Sequence, residues 1–201
     1  MILFDGCSYT FGDELENPKK DAFPHVVARM GDGITRDHVN LGECGKSNDG
    51  ILRTTLEFCE NNEVDIAVIQ FTIFSRRELK RIRTNKYFNI TAENNDKGSL
   101  EYYKHLQNVD DDVANFHKNK FLLESYFQKR NIRCFFLCIQ NMNNLGFYNH
   151  SSWCNMGCNE PIFNIREMLG GKRGHPENYS GGHPSIKGHQ MIAKEVYKNI
   201  F

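Results

Sequence analysis

Hydrophobic runs along the chain alternate with amphipathic stretches, and this alternation predicts a parallel β-sheet covered by helices. Short apolar runs with no polar face are typical of strands buried on both sides. They predict strands at residues 1–6, 38–42, 64–71 and 132–139, with a shorter candidate at 161–165. Connections between parallel strands need a crossover, which is usually a helix.

Apolar residues at helical spacing predict those crossovers. The predicted helices cover residues 21–30, 51–59, 113–127 and 183–200. The polar residues 47–49 are suitable caps for the second helix, and Pro184 suits the first position of the last one. Its inner stripe is predicted to be Ile186, Ile192, Ala193, Val196 and Ile200. The order of elements predicts an α/β fold, a three-layer α/β/α sandwich with a central parallel sheet.

One stretch does not fit the alternation and is interpreted as an insertion at about residues 72–112 of a single domain that covers residues 1–201. Its part from 84 to 112 is polar and rich in asparagine, so weak local order is expected there. The segment contains four aromatic residues, Tyr87, Phe88, Tyr102 and Tyr103. They are as consistent with a lid that covers a bound ligand as with a variable surface loop.

Composition narrows the classes of function. The 25 basic and 25 acidic residues cancel, so no general electrostatic attraction to nucleic acid or to an acidic membrane is expected. No apolar run approaches the ~20 residues that span a bilayer, and the first residues lack the basic lead-in of a signal peptide. Seven cysteines, an odd number, fit a reduced cytoplasmic protein better than a disulfide scaffold.

The segments that follow the predicted strands carry the candidate chemistry, because ligands of such sheets bind at the carboxyl ends of the strands. These segments are Gly6-Cys7-Ser8, Gly42-Glu43-Cys44-Gly45 and residues 70–76, and Gly181-Gly182-His183-Pro184-Ser185 precedes the last helix. In this order and spacing they resemble the blocks of the SGNH (GDSL-type) hydrolases. The resemblance covers residues 1–71 and 132–200 and implies the flavodoxin-like architecture of that superfamily.

The resemblance implies a serine esterase with Ser8 as the nucleophile and His183 as its base. A serine hydroxyl needs a neighbouring base to become nucleophilic, and histidine suits that task near neutral pH. Backbone N–H groups of Ser8 and Gly45 are expected to stabilise the oxyanion of a tetrahedral intermediate. Carboxylic esters, with small acyl groups or on acetylated carbohydrates, are the implied substrates, and no cofactor or metal is expected.

Two positions depart from the pattern of the superfamily. Its members usually have an aspartate three residues before the histidine, where this chain has Ser180. Ser180 itself and Glu177 are the candidates for orienting the imidazole, or a backbone carbonyl does so in a Ser-His dyad. The third block lacks the usual oxyanion-binding asparagine, and Thr72 is the preferred replacement, ahead of Ser75 and Gln70. The same departures support an alternative function, a catalytically degenerate protein that serves as a binding or assembly module.

Three further observations concern residues outside this pattern. Arg76 directly follows a predicted strand and is a candidate for binding an anionic or polyhydroxylated substrate. Cys154 and Cys158 have a spacing that zinc sites permit, but a second tight pair of ligands is missing, so loop or buried thiols are favoured. His189 is expected to be a packing residue on the last helix.

Overall fold

The computed structural model describes residues 1–31, 34–139 and 162–201. The strands are β1 (Ile2–Asp5), β2 (His38–Asn40), β3 (Ile66–Phe71), β4 (Arg77–Lys80), β5 (Tyr87–Ile90), β6 (Arg133–Cys138), β7 (Ile162–Asn164), β8 (Tyr179–Ser180) and β9 (His183–Pro184). The α-helices are α1 (Ser8–Phe11), α2 (Pro18–Asp21), α3 (Phe23–Arg29), α4 (Asn48–Asn61), α5 (Lys97–His105), α6 (Val109–Arg130), α7 (Ile165–Met168) and α8 (Ile186–Ile200).

The central sheet is parallel, with the strand order β2-β1-β3-β6-β7. This is the doubly wound order of flavodoxin-like folds, in which the chain reverses direction across the sheet beside the first strand. All five predicted strands are present, so the predicted α/β fold with a central parallel sheet is confirmed. The order brings the loop after β1 to the reversal point, where ligands of such sheets bind.

Two hydrophobic cores lie on opposite faces of the sheet, because successive side chains of a strand point to opposite sides. Phe4 and Val68 belong to the core beneath α3 and α8. Leu3 and Ile69 belong to the core beneath α4 and α6. Both faces are therefore covered, which explains why the strands are apolar throughout.

The last helix begins later than the sequence predicts. Ser185 is its N-cap, and the Ser185 hydroxyl accepts a hydrogen bond from Gly188 N–H. Pro184 lies before the helix, in the short β8–β9 hairpin, where it pairs with Tyr179. Ile186 is exposed rather than part of the inner stripe, whereas Ile192, Ala193, Val196 and Ile200 are buried as predicted.

The segment expected to have weak local order contains regular structure, and that expectation was wrong. β4 and β5 form an antiparallel hairpin, and Asp96 caps α5 by accepting hydrogen bonds from Gly98 and Ser99 N–H. The side-chain ion pair between Arg77 and Asp112 ties this segment to α6. The sequence did not predict these elements because helix capping and an ion pair, which leave no apolar periodicity, supply many of their contacts.

Within the residues that the structure describes, no helix is both long and apolar enough to cross a membrane. Cys154 and Cys158 lie outside the described residues.

Candidate active site

The turn after β1 holds Ser8 at the first position of α1, at the carboxyl edge of the sheet. Gln70 on the neighbouring β3 fixes this turn, because its Oε1 accepts hydrogen bonds from Cys7 N–H and the Thr10 hydroxyl, each at 3.0 Å. A Cβ on Gly6 would lie 2.2 Å from Thr10 Oγ1, so only glycine fits this close approach. Gln70, a candidate oxyanion donor, thus supports the turn from behind.

A buried ion pair ties the Ser8 turn to the loop that contains Gly45. Lys46 Nζ lies 2.6 Å from Asp5 Oδ1 and donates a second hydrogen bond to Leu41 O. Gly6 N–H and two threonine hydroxyls of α4 donate the remaining hydrogen bonds to Asp5. Burial raises the pKa of Asp5, and the Lys46 ammonium opposes that rise. A fully hydrogen-bonded pair of this kind fixes the relative position of both loops.

His183 and Ser8 are in hydrogen-bond contact, although 175 positions of sequence separate them. The distance from Ser8 Oγ to His183 Nε2 is 2.9 Å, within the range for a hydroxyl that donates to an imidazole. The Tyr9 ring packs edge-on against the imidazole, and the Tyr9 hydroxyl donates to Gly182 O at 3.1 Å. The close approach of these two side chains, which the sequence predicts, is therefore present.

The carboxylate nearest to the other ring nitrogen comes from Glu14, which the sequence analysis did not identify. Glu14 Oε1 lies 3.3 Å from His183 Nδ1, and its Oε2 accepts hydrogen bonds from the N–H groups of Gly182 and His183. Glu14 has a φ of 65°, a left-handed conformation that costs about 1 kcal/mol for a residue with a side chain. Burial alone would raise the pKa of Glu14, but the N–H groups and the imidazole hold it below its ordinary value.

Gly181 makes room for this carboxylate. A Cβ at Gly181 would lie 2.6 Å from both Glu14 carboxylate oxygens, and its φ of +54° also favours glycine. The two glycines before His183 were therefore the feature of the sequence that could have indicated a side chain packed against this segment. No periodicity connects them to position 14, because the contact depends on how two loops fold toward each other.

The two residues expected to orient His183 are elsewhere. The Glu177 carboxylate lies 3.1 Å from Lys187 Nζ and 3.4 Å from His175 Nδ1, so it is paired away from His183. Ser180 pairs with His183 through the backbone of the β8–β9 hairpin. Among the described residues, nothing meets the geometry of a hydrogen bond to His183 Nδ1, which leaves Glu14 Oε1 as its close polar neighbour.

A cavity of about 500 Å³ opens in front of Ser8, within the size range of small-molecule sites. Its lining includes Ser8, Gly45, Arg76, Thr91, Arg166 and His183. Thr91 follows β5, so the segment of residues 72–112 forms part of the wall. The four aromatic residues proposed for a lid do not line this cavity; for example, the Tyr103 hydroxyl donates to Ser75 O.

Thr72, the preferred candidate for a side-chain oxyanion donor, does not line the cavity either. It is fully buried, its N–H donates to Asn48 Oδ1, and its hydroxyl accepts a hydrogen bond from Arg76 Nη1 at 3.0 Å. Thr72 thus lies behind Arg76. The residues of this segment that line the cavity are Ile73 and Arg76.

The described residues contain no cluster of three or more potential metal ligands. Cys44 lines the cavity, but burial, followed by the nearby Asp13 carboxylate, raises the pKa of its thiol to about 11. A thiol with such a pKa is protonated at neutral pH and is therefore a poor nucleophile.

Comparison with known proteins gives structural relatives only. No protein-family model and no curated protein matches the chain in sequence. The psychrotrophic esterase EstA from Pseudoalteromonas sp. superposes with a TM-score of 0.62 at 14% identity, over 99% of this chain and 95% of that chain. The acetyl xylan esterase AlAXEase matches over 100% of both chains at 15% identity, with a TM-score of 0.59.

A third structure, a member of the lipolytic protein G-D-S-L family from Veillonella parvula, has a TM-score of 0.56 at 12% identity and covers 99% of this chain and 97% of that chain. Each of these likenesses covers 99% or more of this chain. The chain therefore has the fold of the SGNH (GDSL-type) hydrolases, as the resemblance of its strand-end segments predicts.

Proposed function

We propose that the protein hydrolyses carboxylic esters, with Ser8 as the nucleophile and His183 as the general base. The observation that carries this proposal is the 2.9 Å contact between Ser8 Oγ and His183 Nε2 at the mouth of a cavity of suitable size. An isolated serine and histidine have many structural uses. A direct hydroxyl–imidazole contact at the reversal point of the sheet is the arrangement that nucleophilic catalysis requires.

The reaction proceeds in two steps. Ser8 Oγ attacks the ester carbonyl while His183 Nε2 accepts the hydroxyl proton, and His183 then returns that proton to the departing alkoxide, which leaves as the alcohol. Water attacks the resulting acyl-serine, again with His183 as the base. The acid is released, and Ser8 regains its proton.

Two backbone donors support the oxyanion. Ser8 and Gly45 both line the cavity, and the hydrogen bonds among the described residues include none donated by Ser8 N–H or Gly45 N–H. Gly45 has a φ of +75°, a left-handed backbone conformation that favours glycine over residues with a side chain. Unpaired N–H groups beside the nucleophile are what a developing negative charge needs. Thr72 is not part of this proposal because of its position behind Arg76.

Glu14 replaces the missing aspartate in this mechanism. When Nε2 accepts the serine proton, Nδ1 carries a proton, and Glu14 Oε1 lies 3.3 Å from Nδ1. The carboxylate then stabilises the imidazolium that forms during the attack. In this chain the third member of the triad comes from the loop after the nucleophile, instead of from the segment that carries the histidine.

Small acyl esters, including acetylated carbohydrates, are the substrates we favour. The volume of the cavity suits a short acyl group together with part of the alcohol. One structural relative is an acetyl xylan esterase, which agrees with this class.

Purified protein and its Ser8→Ala variant are to be incubated with short-chain 4-nitrophenyl esters and with a fluorophosphonate probe. Wild-type protein is expected to turn over ester and to become labelled once per chain, at Ser8. The variant should lose the label and about 10⁴-fold or more of the rate. Equal turnover by both proteins would exclude Ser8 as the nucleophile. A wild-type protein that neither reacts nor hydrolyses would instead favour a binding or assembly module.

A further inference from the structure

One side chain in the cavity wall is a buried cation with too few partners. The Arg76 side chain is 11% exposed, and its Nε is buried without a hydrogen-bond partner among the described residues. Nη1 donates to a neutral hydroxyl, that of Thr72, and Nη2 lies 3.6 Å from Glu93, a long distance for an ion pair. Burial of an incompletely paired guanidinium is unfavourable, so folding alone does not account for its position.

A second guanidinium lines the same cavity from the segment after the edge strand β7. Arg166 lies in α7, directly after β7, beside the Tyr9 hydroxyl. Within the part of the chain that the structure describes, no carboxylate lies within 4 Å of it. Arg76 follows β3 and Arg166 follows β7, so the sheet presents two cations at the edge that holds Ser8.

Two carboxylates also line the cavity, but they are too exposed to neutralise Arg76 fully. Asp13 and Glu93 are 41% and 65% exposed, which places them in contact with water. Arg76 is much more buried, and a charge interacts more strongly where water is excluded. The buried positive charge of the wall is therefore that of Arg76, whereas Arg166 and Glu93 are exposed and Asp13 is partly exposed. This charge disfavours a purely apolar acyl chain against Arg76.

We infer that the preferred substrate is an ester that carries a carboxylate close to the scissile bond, bound by Arg76 and assisted by Arg166. This inference rests on the proposed esterase function and adds its substrate class. The planar guanidinium suits a carboxylate, because two N–H groups donate in parallel to its two oxygens. The carboxylate has two sources, the acyl part of a dicarboxylic half-ester or the alcohol part of an acylated hydroxy acid or acidic sugar.

Two matched substrate pairs test the inference and separate these sources. In the first pair, 4-nitrophenyl hydrogen adipate is compared with 4-nitrophenyl hexanoate. In the second, acetate release from 4-acetoxybenzoate is compared with that from its methyl ester. For wild-type protein, kcat/KM should be at least about tenfold higher for the anionic member of one pair, after subtraction of the uncatalysed rate. The pair that shows this preference identifies the part of the substrate that carries the carboxylate.

The variants Arg76→Gln and Arg166→Gln link the preference to the cavity. Arg76→Gln should lower kcat/KM for the preferred anionic ester about tenfold more than for its neutral partner, and Arg166→Gln should do so to a smaller extent. Arg130→Gln is the matched control and should keep the wild-type ratio, because Arg130 of α6 forms an exposed ion pair with Glu60 of α4.

The outcomes separate the inference from the proposed function. A wild-type enzyme without preference in either pair would overturn the inference while leaving the esterase intact. An equal loss on both members of the preferred pair in Arg76→Gln would also overturn it, since the arginine would then act on the oxyanion common to all esters. Turnover of no ester by the wild type would refute the proposed function. In that case calorimetry with adipate decides the inference alone: binding that Arg76→Gln abolishes supports the carboxylate site, and absence of binding rejects it.

Discussion

His183 and His189 lie six positions apart near the start of α8, yet their surroundings are opposite. His183 is partly exposed, and carboxylate oxygens of Asp13 and Glu14 lie within 4 Å of its ring nitrogens. His189 is fully buried, its Nδ1 accepts a hydrogen bond from Phe23 N–H at 3.1 Å, and its ring stacks on that of Phe23. Burial, with a smaller contribution from His183, lowers the pKa of His189 to about 4.

The difference shows that the surroundings, rather than the residue type, assign a histidine to catalysis or to packing. A base must become an imidazolium during the reaction, and carboxylates close to the ring stabilise that charge. A buried ring without a nearby carboxylate remains neutral and contributes apolar contacts and one hydrogen bond. The interpretation of His189 as a packing residue is confirmed by these contacts.

The same substitution at both positions gives the largest expected contrast. His183→Asn should lower kcat about 10³- to 10⁴-fold, because the general base is lost. Its free energy of unfolding should change by about 1 kcal/mol or less, since the ring is partly exposed. His189→Asn should retain kcat within about threefold but lose about 1–3 kcal/mol of stability through the missing ring contacts. Ester turnover and urea denaturation measure both quantities.

The contrast would fail if the two variants lost activity to a similar extent at a temperature where both are folded. It would also fail if His183→Asn were the less stable protein, which would indicate that its ring serves mainly for packing.

The second prediction concerns the pH dependence of stability that His189 causes. An unfolded histidine has a pKa of about 6.5, so between pH 6.5 and 4 the unfolded chain binds a proton at this position that the folded chain does not. Its contribution is therefore complete above pH 6.5 and is lost as the pH falls to 4, by about 3 kcal/mol in total.

His189→Asn removes this proton uptake, so the stability difference between wild type and variant should shrink as the pH falls. Urea midpoints of both proteins at several pH values from 4 to 7 measure it, and the carboxylates common to both proteins cancel in the difference. Parallel profiles would show that His189 is not held neutral by burial.

The contrast also shows which parts of the molecule were predictable. Strand positions and the approach of Ser8 to His183 follow from local apolar runs and from the rule that parallel strands end at one edge. The carboxylate partner was not predictable, because Glu14 reaches His183 through a left-handed backbone conformation that no periodic pattern encodes. Thr72 was chosen by its position in the chain, which does not show that Thr72 is buried and that its hydroxyl accepts a hydrogen bond from Arg76.

The third prediction compares two glutamates, one observed beside His183 and one expected there from the sequence. Glu14→Gln retains an oxygen that accepts the N–H groups of Gly182 and His183 but removes the charge beside Nδ1, so kcat should fall about 100-fold while KM changes less than about threefold. The exposed Glu177→Gln should leave kcat within about twofold, because its partners are Lys187 and His175. In Glu14→Gln, kcat from steady-state kinetics and the rate of fluorophosphonate labelling should both fall, since both require an activated Ser8. A larger loss in Glu177→Gln than in Glu14→Gln would return the role to the histidine segment. The difference between His183 and His189 would then depend on a carboxylate that moves to the ring only during catalysis.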